Sequence, residues 1–190
     1  AGVQGACPPT PFAHPRVVIF AGDHGVARAA GTSAYPPEVT AQMVANFVTG
    51  GAAANVIAQQ VGATVRVVDV AVDADPAYLD ALDPSVALRR IQRSCGSIDR
   101  EDSMTDAAAR QSVALGRALA DEEIAAGADV LIPGDMGIGN TTPAAALIAV
   151  LTASAPAEVT GRGTGVDDAT LARKASAIAS AVARADAAFG

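Results

Sequence analysis

The sequence predicts an α/β protein, a Rossmann-like three-layer fold built on a mostly parallel sheet. Three observations predict it. Short apolar, β-branched runs at 17–20, 65–70 and 129–133 alternate with longer stretches of helical periodicity. The first and third runs open into glycine-bearing loops, and the third leads straight into an apolar helix-like segment. The composition is 51% hydrophobic and 17% charged with few aromatics, which excludes a disordered chain and implies a core of small aliphatic side chains.

The elements follow in order. Residues 1–16 are rich in Gly and Pro and read as irregular. Val17–Phe20 is a buried strand that opens at Ala21–Gly25 into a polar loop spanning Ala21–Ala34. A helix starts near Pro37, because Val39, Met43 and Phe47 recur every four residues and proline is tolerated in a first turn. Gly50-Gly51 breaks it, a second helix spans about 52–61, and Gly62 ends that one. Val65–Val70 is the next strand, closing in Val72–Pro76. Strand, helices, strand make a βαβ unit, so the two strands should be parallel.

Residues 77–104 are polar and weakly periodic and read as an excursion without assigned structure. Residues 105–126 form an amphipathic helix capped by Thr105 or Asp106. Asp129–Pro133 is the third strand and Thr141–Leu151 the helix after it. A second glycine loop, Gly161–Gly165, precedes a long helix capped by Asp167 or Asp168 and running to about Ala188. No internal repeat or linker divides residues 1–190, so one α/β domain is expected. The alternation stops on a helix with no strand after it. The fold is therefore expected to be an incomplete version of a longer one.

Composition also narrows function. A net charge of −7 argues against nucleic-acid or anionic-membrane partners, but not against a small phosphate held by backbone dipoles and a local cation. Cys7 and Cys95 lie far apart without metal-ligand spacing and read as ordinary thiols. No uninterrupted apolar run of about 18 residues and no signal-peptide pattern appears, so a cytoplasmic protein is expected.

In an open parallel sheet, loops at the carboxyl ends of the strands share one edge. Asp23, His24, Asp69, Asp73, Asp135, Asn140, Thr141 and Thr142 could converge there. Strand, Gly134–Thr142 turn, helix is the geometry that presents backbone N–H groups and a helix N-terminus to an anion. The turn lacks the Walker lysine, which excludes an ordinary triphosphate loop. Read alone, it is either an anion site or only a tight connection. Gly161–Gly165, with Arg162 among its glycines, is a second candidate, and the pair favours an anion more than either does. Asp23-His24 reads as a metal-ligand pair, an acid–base pair, or a hydrogen bond that shapes the turn. A metal is disfavoured because His14 is the only other histidine. Lys174, the only lysine against twelve arginines, lies about two turns into the last helix and alone reads as a solvated side chain. Tyr35 and Gln42 flank the start of the first predicted helix.

Four blocks together resemble the nicotinate-nucleotide–dimethylbenzimidazole phosphoribosyltransferase family of cobalamin synthesis. They are Phe20–Val26; Ser33–Pro36 with Val39–Met43, Asn46-Phe47 and Gly50–Ala53; Gly134–Thr142; and Gly161–Gly165 through Lys174. Their order and spacing cover most of residues 15–185.

The resemblance implies transfer of ribose phosphate. A benzimidazole ring nitrogen attacks C1′ of nicotinate mononucleotide, nicotinate leaves, and α-ribazole 5′-phosphate forms. The enzyme must align two flat rings, grip one phosphate and remove the benzimidazole proton. It also implies that Asp135, Gly137, Gly139, Asn140, Thr141 and the loop Gly161, Arg162, Gly163, Thr164, Gly165 line the nucleotide site, with Lys174 on the phosphate. Tyr35 and Gln42 face the benzimidazole, and Asp23 and His24 stand beside the substrates. The implied partners are these two small molecules and a second copy of the chain; no cofactor and no metal is implied. The sequence departs from the family at Asp135, where many members carry glutamate, and across Arg93–Ile98. The family's N-terminal helices, and the C-terminal segment that carries its glutamate base, have no match here. No catalytic residue is therefore assigned within these residues, and the isolated chain is expected to bind nucleotide poorly and turn over slowly or not at all. The other readings are a non-catalytic nucleotide-binding module, and a metal-dependent phosphohydrolase using Asp23 and His24.

Overall fold

A computed structural model describes residues 2–189. Three parallel strands form one sheet in the order β2-β1-β3: β1 is Pro15–Gly22, β2 is Thr64–Ala71 and β3 is Val130–Met136. The central β1 is hydrogen-bonded on both sides, and its side chains alternate between two apolar layers. Ile19 and Ala21 pack with Val67 against Val44 of α2 (Val39–Val48), Leu79 of α4 (Pro76–Leu82) and Val86 of α5 (Pro84–Ala87). Val18 and Phe20 pack with Val68 and Val70 against Leu115 and Leu119 of α6 (Asp106–Ala125). Helices, sheet, helix are the three layers expected from the sequence. Between β1 and β2 run α1 (Gly25–Ala30), α2 and α3 (Ala53–Gln60).

The third part of the chain makes its own packing group. In α7 (Thr141–Thr152), Ala145 and Ala146 meet Ile178 of α9 (Asp168–Phe189), with Val159 of α8 (Pro156–Val159) at the side. Small residues on α7 let α9 approach closely. This packing sets the start of α9 beside the start of α7.

The structure corrects several sequence-based boundaries. Residues 25–30 are helix α1, not loop. The excursion 77–104 holds most of α4 and then all of α5. Each of these helices begins with an Asp-Pro pair: Asp75 accepts from Ala77 N at 3.0 Å and Asp83 from Ser85 N at 2.9 Å. The third strand runs on through Gly134, Asp135 and Met136, which pair with Ile19, Phe20 and Ala21. The turn itself is thus only residues 137–140. Thr105, not Asp106, caps α6, and Asp167, not Asp168, receives the Thr170 N–H at 2.8 Å before α9.

Among the described residues, no helix is long and apolar enough to cross a membrane.

Candidate functional site

The site is built where two glycine turns meet beyond the carboxyl ends of β1 and β3. The first turn is pressed onto the protein. A Cβ on Gly137 would be driven into the Gly22 carbonyl oxygen and against His24 Nε2, and one on Gly139 would lie 2.6 Å from Ala27 Cβ. Gly139 also has φ +83°, a conformation other residues resist. The backbone is therefore the surface presented. Asn140 N–H closes the turn on Gly137 O and Thr142 N–H on Gly139 O. Among the described residues, no hydrogen bond is donated by the N–H groups of Gly139 and Thr141.

The second turn, Gly161–Gly165, lies against the first. Gly165 and Val166 N–H return to Arg162 O, while no bond is donated by Gly163 and Thr164 N–H among the described residues. A Cβ on Gly163 would stand 2.9 Å from Thr141 Oγ1 and 3.2 Å from Lys174 Nζ. Lys174 rises from the second turn of α9 between the two. Its side chain is buried, with 1% exposure. Nζ donates to Thr141 Oγ1 at 2.6 Å and to Gly161 O at 2.9 Å. Among the described residues no carboxylate pairs with it, and burial pulls its pKa below the ordinary lysine value of 10.5. A buried ammonium held only by neutral oxygens is costly. Thr141, the first residue of α7, and Lys174, in the second turn of α9, thus meet at this place.

Thr141, Gly161, Gly163 and Lys174 thus lie together, with Gly137 and Gly139 in the turn before Thr141 and Thr164 in the turn beside Gly163. Other expected members are placed differently. Asp135 stands on the strand, exposed, and accepts from Asn140 Nδ2 at 2.9 Å. Arg162 turns back to Val166 O at 2.8 Å and to Asp168, tying its own loop to the start of α9. The segment before Tyr35 docks on the second turn through Ala34 N–H to Thr164 Oγ1 at 3.2 Å. Tyr35 itself and Gln42 are exposed. Asp69 does not reach the edge: it is fully buried and bound to Val72 N and Arg90 Nε. Thr142 is also fully buried.

Asp23 and His24 do not hydrogen-bond one another, contrary to the turn-shaping bond the sequence suggested. Asp23 is buried and its oxygens go to Thr40 and to Asp73 N–H. Desolvation raises its pKa above 3.8, opposed by those two bonds. Burial lowers the His24 pKa below 6.5, so the ring is held toward its neutral form despite Asp135 and Asp23. His24 stands between two openings. One is a polar cavity of about 480 Å³ bordered by Arg28, Asp73, Arg93 and Cys95. The other is an apolar slot of about 370 Å³ between the strand ends and α6, walled by Phe20, Val70 and Leu115, with Asp135 at its rim. Among the described residues, no group of three or more His, Cys, Asp or Glu is placed to hold a metal ion.

Two residues at the site were not candidates from the sequence: Thr40, and Cys95, which read as an ordinary thiol. Thr40 gave a usable signal: a polar residue on the same helical stripe as Val44, four residues on.

Strand, bare-backbone turn and helix, with a second glycine turn before α9 and a buried cation between the two turns, define an α/β protein whose sheet edge presents free backbone donors. Similarity to known proteins narrows that class. The sequence model of the phosphoribosyltransferase family matches residues 1–189. The nicotinate-nucleotide–dimethylbenzimidazole phosphoribosyltransferase of Mycobacterium marinum is 55% identical over 184 residues, which is 97% of this chain and 50% of that protein. The protein of the same name from Mycobacterium tuberculosis is 54% identical, over 97% and 49%. The crystal structure of CobT from Thermus thermophilus superposes with a TM-score of 0.88 at 44% identity, covering 97% of this chain and 54% of that one. The chain belongs to the nicotinate-nucleotide–dimethylbenzimidazole phosphoribosyltransferase family. It spans about half the length of the curated relatives it matches.

Proposed function

We propose that this chain provides the nucleotide-gripping part of a phosphoribosyl transfer from nicotinate mononucleotide to 5,6-dimethylbenzimidazole, yielding α-ribazole 5′-phosphate and nicotinate in assembly of the cobalamin lower ligand. The observation that carries the reading is Lys174: a buried ammonium without a carboxylate partner among the described residues, facing two glycine turns with unused N–H groups. A nucleotide 5′-phosphate supplies the missing counter-charge. The ribose then extends toward Asp135 and Asn140, and the apolar slot beside His24 offers a flat ring its walls. Tyr35 and Gln42 take the benzimidazole side. In the transfer, the benzimidazole nitrogen forms the bond to C1′ as the C1′–pyridinium bond breaks, its electron pair stays on nicotinate, and the ring N–H proton goes to a base.

That base is proposed to come from outside these 190 residues. Three carboxylates at this end of the sheet are already engaged: Asp23 by Thr40 and Asp73 N–H, Asp69 by Arg90, Asp73 by Arg28 and Arg93. This engagement favours a second reading, in which the chain alone is a nucleotide-binding module without turnover. The proposal includes one α/β domain over 1–190, a homodimer and a cytoplasmic setting. The exposed Val56, Ile57 and Val61 at α3 offer apolar surface for a second copy.

The test is nicotinate release from nicotinate mononucleotide and dimethylbenzimidazole, run beside a melting curve. The expected result for the isolated chain, a weak binder, is a small rise in melting temperature at saturating nicotinate mononucleotide with little or no nicotinate released. No shift with nicotinate mononucleotide contradicts the nucleotide site. Robust turnover contradicts the external base.

A further inference from the structure

The first glycine turn makes few bonds of its own, yet its position decides where Gly139 and Thr141 N–H point. Its support comes from below. Ile138 N–H, in the middle of the turn, donates to Thr40 Oγ1 at 3.0 Å. Thr40 Oγ1–H donates to Asp23 Oδ1 at 2.7 Å. Asp23 Oδ2 accepts from Asp73 N–H, in the loop after β2, also at 2.7 Å. Asp23 is anchored in turn: its N–H donates to Ala71 O and its carbonyl accepts from Cys95 N–H. Asp23, Thr40 and Ile138 are 3%, 0% and 5% exposed, so water does not substitute for the two bonds of the Thr40 hydroxyl. One carboxylate therefore joins the loops that follow all three strands.

The direction of each bond restricts the residue types. Asp73 N–H and Ile138 N–H are donors and cannot reverse. Thr40 has one proton, and because its oxygen accepts from Ile138 that proton must go to position 23. Position 23 must then accept twice and donate nowhere, which an ionised carboxylate does and an amide cannot. With Asn, an NH₂ faces either Asp73 N–H or the Thr40 hydroxyl. With Val at position 40, the Ile138 N–H and one Asp23 oxygen are both buried without a partner.

We propose that Asp23 and Thr40 are positioning residues. Through the Thr40 hydroxyl they preset the peptide of Ile138, leaving Gly139 and Thr141 N–H directed outward for the phosphate. The benefit for ligand binding rests on the nucleotide reading above; the preset turn does not.

The experiment measures amide hydrogen exchange at Ile138 by NMR in the wild-type chain, Thr40→Val, Thr40→Ser and Asp23→Asn. Nicotinate mononucleotide affinity is measured beside it. Thr40→Val is expected to speed Ile138 exchange about tenfold or more, the factor a lost hydrogen bond carries, with Ile19 and Val67 amides unmoved. Thr40→Ser restores protection, Asp23→Asn loses it, and nucleotide affinity follows the same order. Unchanged Ile138 exchange in Thr40→Val, a Thr40→Ser variant as fast as Thr40→Val, or affinity that ignores the order overturns the proposal. If Thr40→Val does not fold, the wild-type chain decides. A slowly exchanging Thr40 hydroxyl proton with a cross-peak to the Ile138 amide supports the relay, and its absence overturns it. If the wild type shows no affinity for nicotinate mononucleotide, the nucleotide reading fails and the exchange data still judge the relay.

Discussion

The two ends of the sheet differ in how completely buried charge is paired. At the end where the strands begin, buried charge is paired. Glu123 pairs with Arg66 at 2.8 Å and with Arg16 at 3.7 Å, and Glu122 bridges Arg66 and Arg89. At the end where they finish, Asp69 is paired with Arg90, but Lys174 is buried on neutral oxygens and Asp23 on neutral donors, with no opposite charge in salt-bridge contact with either among the described residues. The first arrangement joins α6 to the sheet. The second leaves charge unmatched at an edge lined with open backbone N–H groups. The contrast teaches that the informative quantity is what a buried charge rests on and not its burial: the ion pairs tie elements together, Asp23 ties loops through neutral donors, and Lys174 on two neutral acceptors is left with charge to match.

Substitutions can break that contrast. The largest effect is expected from Gly137→Ala. The new methyl meets the Gly22 carbonyl oxygen and the His24 ring, neither of which can retreat without moving the end of β1. A loss of about 3 kcal/mol in a denaturant titration is expected. Lys174→Met should lose about 1.5–3 kcal/mol of nicotinate mononucleotide affinity while melting at the wild-type temperature or above it, because a costly buried charge is replaced by an apolar chain of similar length. Glu123→Ala should do the reverse: about 1–2 kcal/mol of stability lost and nucleotide affinity unchanged. If both variants lower stability alike, the two ends of the sheet do not differ as described.

The smallest expected effect is a pH dependence with two opposite signs. Only the protonated Lys174 attracts a phosphate, and burial lowers its pKa from 10.5. Affinity should therefore begin to fall below pH 10.5 as pH rises. Stability moves the other way. Between the lowered folded-state pKa and 10.5 the unfolded chain binds the extra proton, so stability rises with pH across that window. The difference between wild type and Lys174→Met in parallel pH titrations isolates both trends.

Much of this was legible in the sequence, for physical reasons. The β-branched runs Val17–Phe20 and Val65–Val70 marked buried parallel strands, and the glycines of 137–139 and 161–165 marked the turns. Short helices were not legible, because α1 and α5 are too brief to show a period. The Asp-Pro pairs at 75–76 and 83–84 were available as start signals for α4 and α5. Lys174 resembled a solvated lysine, yet it shares a helical stripe with Thr170, Ala177 and Ile178, all buried. That spacing gave away its burial; its lack of a counter-charge needed three dimensions. Arg162 misled for a related reason. A guanidinium among glycines suggests an anion, but this one closes its own loop on Asp168. The contact between Thr40 and Ile138, 98 residues apart, had no sequence signature.

The central claim is that the two glycine turns and Lys174 bind the 5′-phosphate of a nucleotide. The most direct test is an NMR titration of the chain with nicotinate mononucleotide and, separately, with the same nucleoside lacking the phosphate. The account predicts that the amides of Gly139, Thr141, Gly163 and Thr164 shift with the nucleotide, shift little with the nucleoside, and stay still in Lys174→Met. Equal shifts with both ligands, or shifts confined to the cavity of Arg28 and Arg93, would contradict it.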